Sequence, residues 1–255
     1  MPAFFVSKNI VSILLVPGLL LGLAASTVSA QEAELVNIKS VDRTIKIDLR
    51  YAGTRNIAGR PLYPANMPAL VRPQVAAQLA VAQAILRERG YGLKIWDAYR
   101  PKSAHEQLWQ YSRNGDYVAD PAAGGSIHTC GAAVDATLVD NRGRDVSMPT
   151  DFDDFTTAAM LNYTGDNAEV RQNLYFLQNA MARAGFYGLR TEWWHFVTKD
   201  WQGYQPIPEI MIVRQGLLPR QPARALPVRP AEPLTRSSPP PNGGNPASPP
   251  LQRSR

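Results

Sequence analysis

The chain has 255 residues, a formal charge of +6 and a single cysteine, Cys130. One cysteine rules out an intramolecular disulfide framework. Six arginines against Glu232 in residues 217–255, with Lys8, account for the whole charge; residues 31–216 are near neutral, which argues against a nucleic-acid-binding face on the folded part.

Residues 1–30 carry one positive charge, Lys8, then an apolar stretch from Ile10 to Ala25 and the small residues Val28-Ser29-Ala30. This is the layout of a secretory signal, so the mature protein is expected outside the cytoplasm, in the periplasm. A membrane span is the competing reading, since about 20 apolar residues cross a bilayer. The run is shorter than that and contains Pro17, Gly18 and Gly22. No cysteine stands at its end, so a lipoprotein anchor is not expected at this position.

Ile45, Ile47, Leu49 and Tyr51 alternate with Lys46, Asp48 and Arg50, which predicts a half-buried strand. Pro73 opens a helix with Val75, Leu79, Ala82 and Leu86 on one face and Gly90 as its stop. Residues 93–96 read as a short strand running into Asp97-Ala98-Tyr99-Arg100-Pro101, where Pro101 keeps Arg100 out of helical geometry. A helix is expected over 103–112, with His105 capping it or facing solvent. A Gly-rich turn at 123–125 precedes a strand over 132–139. A second helix runs over 168–184, with Val170, Leu174, Leu177 and Met181 inward and Gly185 as its stop. The last strand lies at 193–198. From 217 onward proline recurs every few residues, which predicts a disordered tail. That tail is either a passive extension or a weak contact to anionic wall polymer or membrane. Residues 31–216 thus form one α+β domain, helices packed on a small, largely antiparallel sheet.

Two of the domain's three histidines sit in unusual company. His128 stands seven residues before Asp135, with Gly131 between them. On the strand, Ala133, Asp135 and Thr137 share a face. Gly131 permits the irregular backbone that lets His128 turn toward it. Glu192 stands three residues before His195, with Trp193 and Trp194 between. In a flat strand those two would face apart, so a bend or bulge is required. Two imidazoles and a carboxylate with an open water position make a catalytic zinc site. Glu192 would be the free carboxylate that takes the water's proton. Each spacing alone is weakly specific; together they are much more so.

Ser126-Ile127-His128-Thr129-Cys130-Gly131-Ala132-Ala133-Val134-Asp135, followed by Glu192-Trp193-Trp194-His195, resembles the zinc D,D-peptidase family. With Trp96-Asp97-Ala98-Tyr99-Arg100-Pro101 it is closer still to the D-alanyl-D-alanine dipeptidases, over about residues 40–205. The resemblance implies their hedgehog-like fold and one zinc ion per chain on His128, Asp135 and His195. It makes Glu192 the base and Arg100 the group that stabilises the oxyanion. Asp97 then supports Arg100 or a metal ligand, or is an ordinary turn carboxylate. Tyr51 and Asp153 match contacts to the substrate ammonium, with Asp151 and Asp154 as rivals to Asp153. Ser126 matches the contact to the substrate carboxylate. Cys130, inside the motif, reads as a packed small residue. The implied activity is hydrolysis of a D,D-dipeptide in wall-peptide turnover or salvage. A D,D- or L,D-carboxypeptidase or endopeptidase acting on longer wall peptides, and a non-catalytic zinc-stabilised wall-binding module, are the alternatives.

Overall fold

The computed structural model describes residues 34–218, so the expected signal segment and nearly all of the expected tail lie outside the described residues. In chain order the elements are β1 (Val36–Asn37), α1 (Ile38–Val41), β2 (Lys46–Ile47), β3 (Leu70–Val71), α2 (Pro73–Arg87), β4 (Tyr91–Asp97) and α3 (Lys102–Trp109). There follow β5 (Ala133–Asp140), α4 (Ala168–Arg183), β6 (Phe186–Leu189), β7 (Glu192–Thr198) and α5 (Glu209–Arg214). Five strands make the main sheet in the order β2-β4-β5-β7-β6. Only β2 runs parallel to its neighbour; the other pairs are antiparallel, as the α+β reading requires.

The two long helices form where the apolar period put them. Pro73 starts α2 with its φ already suited to a helix, and Gly90 leaves the helical end at φ +78°. Asn167 caps α4 by accepting from the Glu169 and Val170 amides. Both helices pack on each other and on the sheet. Val75, Leu79, Leu86, Leu177 and Met181 join Leu93, Ile95, Val134 and Leu138 in one core. Burial on that side leaves the opposite face of β5, with Asp135, for the site. Among the described residues no helix is long and apolar enough to cross a membrane.

The first strand is shorter than its alternation predicts. Only Lys46 and Ile47 pair with β4, the Asp48 amide adds one bond to the Ile95 carbonyl, and Arg50–Ala52 turn into a 3₁₀ helix. The reason lies in the next loop. The Leu62 and Tyr63 amides both bond to the Tyr51 carbonyl, and Asn56 Nδ2 reaches the carbonyls of Arg50, Gly53 and Arg60. Those bonds fold the chain back before the ladder can extend. Alternation still marks the inward residues: Ile45 and Tyr51 are buried. At the other end Leu218 is buried, so packing continues two residues past the expected boundary at 216.

Candidate active site

One row of the sheet carries the centre. Asp97 on β4 pairs with Asp135 on β5, and Asp135 pairs with His195 on β7. A bulge between Ile95 and Asp97 brings Asp97 into that row. His128 comes from outside the sheet, on the 3₁₀ turn Ile127–Cys130. Ser126 caps this turn by accepting from the His128 amide at 3.2 Å. Gly131 closes it at φ +68°, where an added Cβ would lie 2.5 Å from Leu35 Cδ2. Gly131→Ala is therefore expected to cost about 1–3 kcal/mol through strain and overpacking, and to weaken metal binding by shifting His128. Urea unfolding of the metal-free protein checks this; an unchanged midpoint would sink it.

The three candidate ligand atoms lie close together. His195 Nδ1 is 3.0 Å from Asp135 Oδ1, His128 Nε2 is 3.4 Å from the same oxygen, and the two ring nitrogens are 3.2 Å apart. Four donors at zinc bond lengths of about 2.0–2.1 Å and tetrahedral angles stand roughly 3.3 Å apart, so the spacing suits a tetrahedral ion. His128 Nδ1 is 2.8 Å from the Ala98 carbonyl, to which it donates, leaving Nε2 free as a ligand. Burial alone would raise the Asp135 carboxyl, but His128 and His195 hold it below the usual carboxylate range. Among the described residues this is the group of His, Cys, Asp and Glu side chains placed to hold a metal. Cys130 is buried beside it, outside that group, and its thiol is pushed up by burial.

The bulge required between Glu192 and His195 is present. Pairing of β6 with β7 steps from Gly188 opposite Phe196 to Leu189 opposite Glu192, so Trp193-Trp194-His195 have no partners on β6. Glu192 and His195 consequently line the same cavity, of about 530 Å³, with Arg100, Ser126 and His128. Trp193 and Trp194 are fully enclosed and pack edge to face with each other, while Trp193 meets Trp96 and Trp194 meets Phe152 the same way. Glu192 is 6 % exposed and its Oε1 has no hydrogen-bond partner. Burial, then the charges of Asp135 and Asp153, raise its carboxyl well above the usual range.

Arg100 leaves the end of β4 with its guanidinium 4.9 Å over the Tyr51 ring. Its Nε and Nη2 both donate to Asp97 Oδ2, at 2.9 and 2.8 Å, and Asp135 Oδ2 is 3.7 Å away. Asp97 is fully buried, and its other oxygen accepts from the Tyr63 hydroxyl at 2.6 Å and from the Ala98 amide. Its Oδ2 is also 3.5 Å from His128 Nδ1, so one carboxylate touches both the guanidinium and a ligand ring.

The Tyr51 hydroxyl donates to Asp153 Oδ1 at 3.1 Å, and Asp153 Oδ2 accepts from the Ile57 amide. Asp153 has φ +59°, a strained conformation for a non-glycine residue. Burial above all pushes its carboxyl up to about 7. Its two neighbours go elsewhere: Asp151 pairs with Arg55 and Arg50, and Asp154 is exposed. Neither Tyr51 nor Asp153 lines the 530 Å³ cavity; they sit on the Arg100 side of the centre, while Ser126 lines the cavity directly.

His105 corrects the reading of the sequence. It neither caps α3 nor faces solvent: it is 1 % exposed, with Nδ1 3.4 Å from Arg100 Nη1 and Nε2 2.9 Å from the Ala119 carbonyl. Pro101 stands just before α3, and the first turn carries Ala104 and His105 inward together with Leu108. Tyr63 was not singled out by any motif. Its bond to Asp97 spans 34 residues and leaves no local signal.

Glu192, Arg100, His128 and His195 line one cavity, and Asp135 lies against both rings, an arrangement suited to metal-assisted hydrolysis. A family profile described as Peptidase_M15, D-ala-D-ala dipeptidase, matches residues 31–212. The chain belongs to that family. It is 34 % identical over 163 residues to a D-alanyl-D-alanine dipeptidase of Escherichia coli K12, covering 64 % of this chain and 83 % of the relative. It is 28 % identical over 179 residues to one from Enterococcus faecium, covering 61 % and 87 %. A solved structure of the vancomycin-resistance D,D-pentapeptidase VanY, a point mutant in complex with Zn(II), overlaps 59 % of this chain and 82 % of its own, at 16 % identity and a TM-score of 0.35.

Proposed function

We propose that the protein is a zinc-dependent D-alanyl-D-alanine dipeptidase that consumes wall-derived dipeptide in the periplasm. One observation carries the reading: Glu192 Oε1 is a buried acceptor without a partner, in the same cavity as His128, His195 and Arg100. A buried carboxylate left in that state is costly unless a reacting group uses it. Family membership and the relatives' activity support the substrate. The donor set of two imidazoles and one carboxylate supports zinc.

Bound at His128, Asp135 and His195, zinc would polarise the scissile carbonyl and make a water acidic near pH 7. Glu192 takes the proton at Oε1 and returns it to the leaving amine. Arg100, always charged, faces the developing oxyanion. Asp153 and Tyr51 hold the ammonium, whose charge would draw the raised Asp153 carboxyl back to its ionised form. Ser126 meets the carboxylate.

Dialysis against a chelator is expected to abolish hydrolysis of D-Ala-D-Ala, and one equivalent of zinc per chain to restore it. Full turnover by protein shown to be metal-free would overturn the reading. A second reading, cleavage of longer wall peptides, is favoured by the cavity's apolar extension along Ile127, Tyr187, Leu189, Val197 and Trp201. Comparing kcat/KM for the free dipeptide and an acyl-pentapeptide separates the two. Equal values would remove the dipeptidase assignment.

A further inference from the structure

Arg100 is held chiefly by Asp97, and its outer nitrogen Nη1 meets a residue that no motif singled out. Its Nε and Nη2 both bond to a single oxygen, Asp97 Oδ2. Two donors on one acceptor form a pivot, about which a planar guanidinium can tilt. The Tyr51 ring covers one face of the guanidinium at 4.9 Å and Asp135 Oδ2 lies 3.7 Å from Nη2; the remaining end, Nη1, is met by His105 Nδ1 at 3.4 Å.

The role of the imidazole follows from its other nitrogen. Nε2 is 2.9 Å from the Ala119 carbonyl, an acceptor only, so the proton belongs on Nε2 and the Nδ1 lone pair faces Arg100. Burial, then the Arg100 charge, push the ring down to about 4, so it is neutral and able to accept near pH 7. Ala119 ends the segment Gly115–Ala119 that walls the cavity. The same segment is tied at its start, where Thr191, next to Glu192, donates to the Asp116 carbonyl at 3.0 Å. One short wall therefore links the neighbour of the base to the partner of the guanidinium.

We infer that His105 is a positioning residue for Arg100: bridging Ala119 and Nη1, it fixes the guanidinium plane relative to the cavity. The inference rests on the reading of Arg100 as the oxyanion's partner. His105 touches no substrate; it acts only through Arg100.

The test compares two amides in the zinc-loaded enzyme. His105→Asn keeps an acceptor where Nδ1 stands, whereas His105→Gln keeps a group where Nε2 stands and loses the contact to Arg100. His105→Gln is expected to lower kcat on D-Ala-D-Ala about tenfold with KM nearly unchanged, since a displaced catalytic group costs rate rather than binding. His105→Asn is expected to retain most of kcat. Both should keep one zinc per chain. In an Arg100→Lys background the two should become equivalent, because the group they position is gone. A packing role predicts the reverse order, equal losses, or a Gln defect that persists in the Arg100→Lys background; any of these overturns the inference while leaving the role of Arg100 standing. If Arg100→Lys itself leaves kcat unchanged, the oxyanion reading falls and this inference falls with it.

Discussion

Glu192→Gln is expected to lower kcat on D-Ala-D-Ala by about 10²–10⁴-fold, the range for loss of a general base, with zinc content still near one per chain. The amide has almost the shape of the carboxylate but cannot take a proton. Its volume keeps the buried seat of Glu192 filled, so the fold should not suffer. The structure gives three grounds for the size of the effect. Oε1 is buried without a hydrogen-bond partner among the described residues, so it is free to receive the proton. Burial, with Asp135 and Asp153 behind it, raises its proton affinity well above that of an ordinary glutamate. The group placed to hold a metal, His128, Asp135 and His195, does not include it. Steady-state kinetics and metal analysis on the same preparation decide the matter. Loss of metal would make Glu192 a ligand; unchanged kcat would place the base elsewhere. Activity absent from the wild type, with metal retained, would instead favour a wall-binding module.

The frame of this site was legible because its signals are local. Pro73 and Gly90 bracket a period of apolar residues, and α2 forms where they say, at Pro73–Arg87. Gly131 between His128 and Asp135 pointed to an irregular backbone, and it sits at φ +68°. Glu192 and His195 demanded a break in pairing, and β7 has one against β6. What stayed hidden depends on contacts distant in sequence. The strand β6 is four residues long at a sheet edge, too short for a period to show. Alternation over Ile45–Tyr51 is real, yet the ladder ends at Asp48 because Leu62 and Tyr63 capture the Tyr51 carbonyl. Tyr63 and His105 acquire their roles only when Asp97 and Arg100 arrive beside them. A polar side chain's place in a buried network is fixed by partners that no window of sequence contains.

Arg100→Lys is expected to lower kcat by about 10²–10³-fold, the usual cost of removing one donor from an oxyanion site, with KM little changed and metal retained. Lysine preserves the charge, so any loss measures geometry. The guanidinium uses Nε and Nη2 on Asp97 Oδ2, keeps Nη1 against His105 and lies over the Tyr51 ring. An ammonium is a point charge on a flexible stem and satisfies at most part of this. Asp97 is fully buried, so a poorly matched partner leaves it demanding the charge for itself. The ammonium should therefore settle on Asp97 and withdraw from the oxyanion, while Tyr51 and Asp153, proposed to meet the substrate's amino end, keep their own bond. Ground-state binding survives and transition-state stabilisation does not, which is why the loss belongs in kcat. Kinetics with D-Ala-D-Ala beside a phosphinate dipeptide analogue test both halves. The analogue, whose charged oxygens resemble the tetrahedral state, should lose affinity by a factor close to the loss in kcat/KM. A rise in KM at constant kcat would recast Arg100 as a ground-state binding group, and the oxyanion would need another partner.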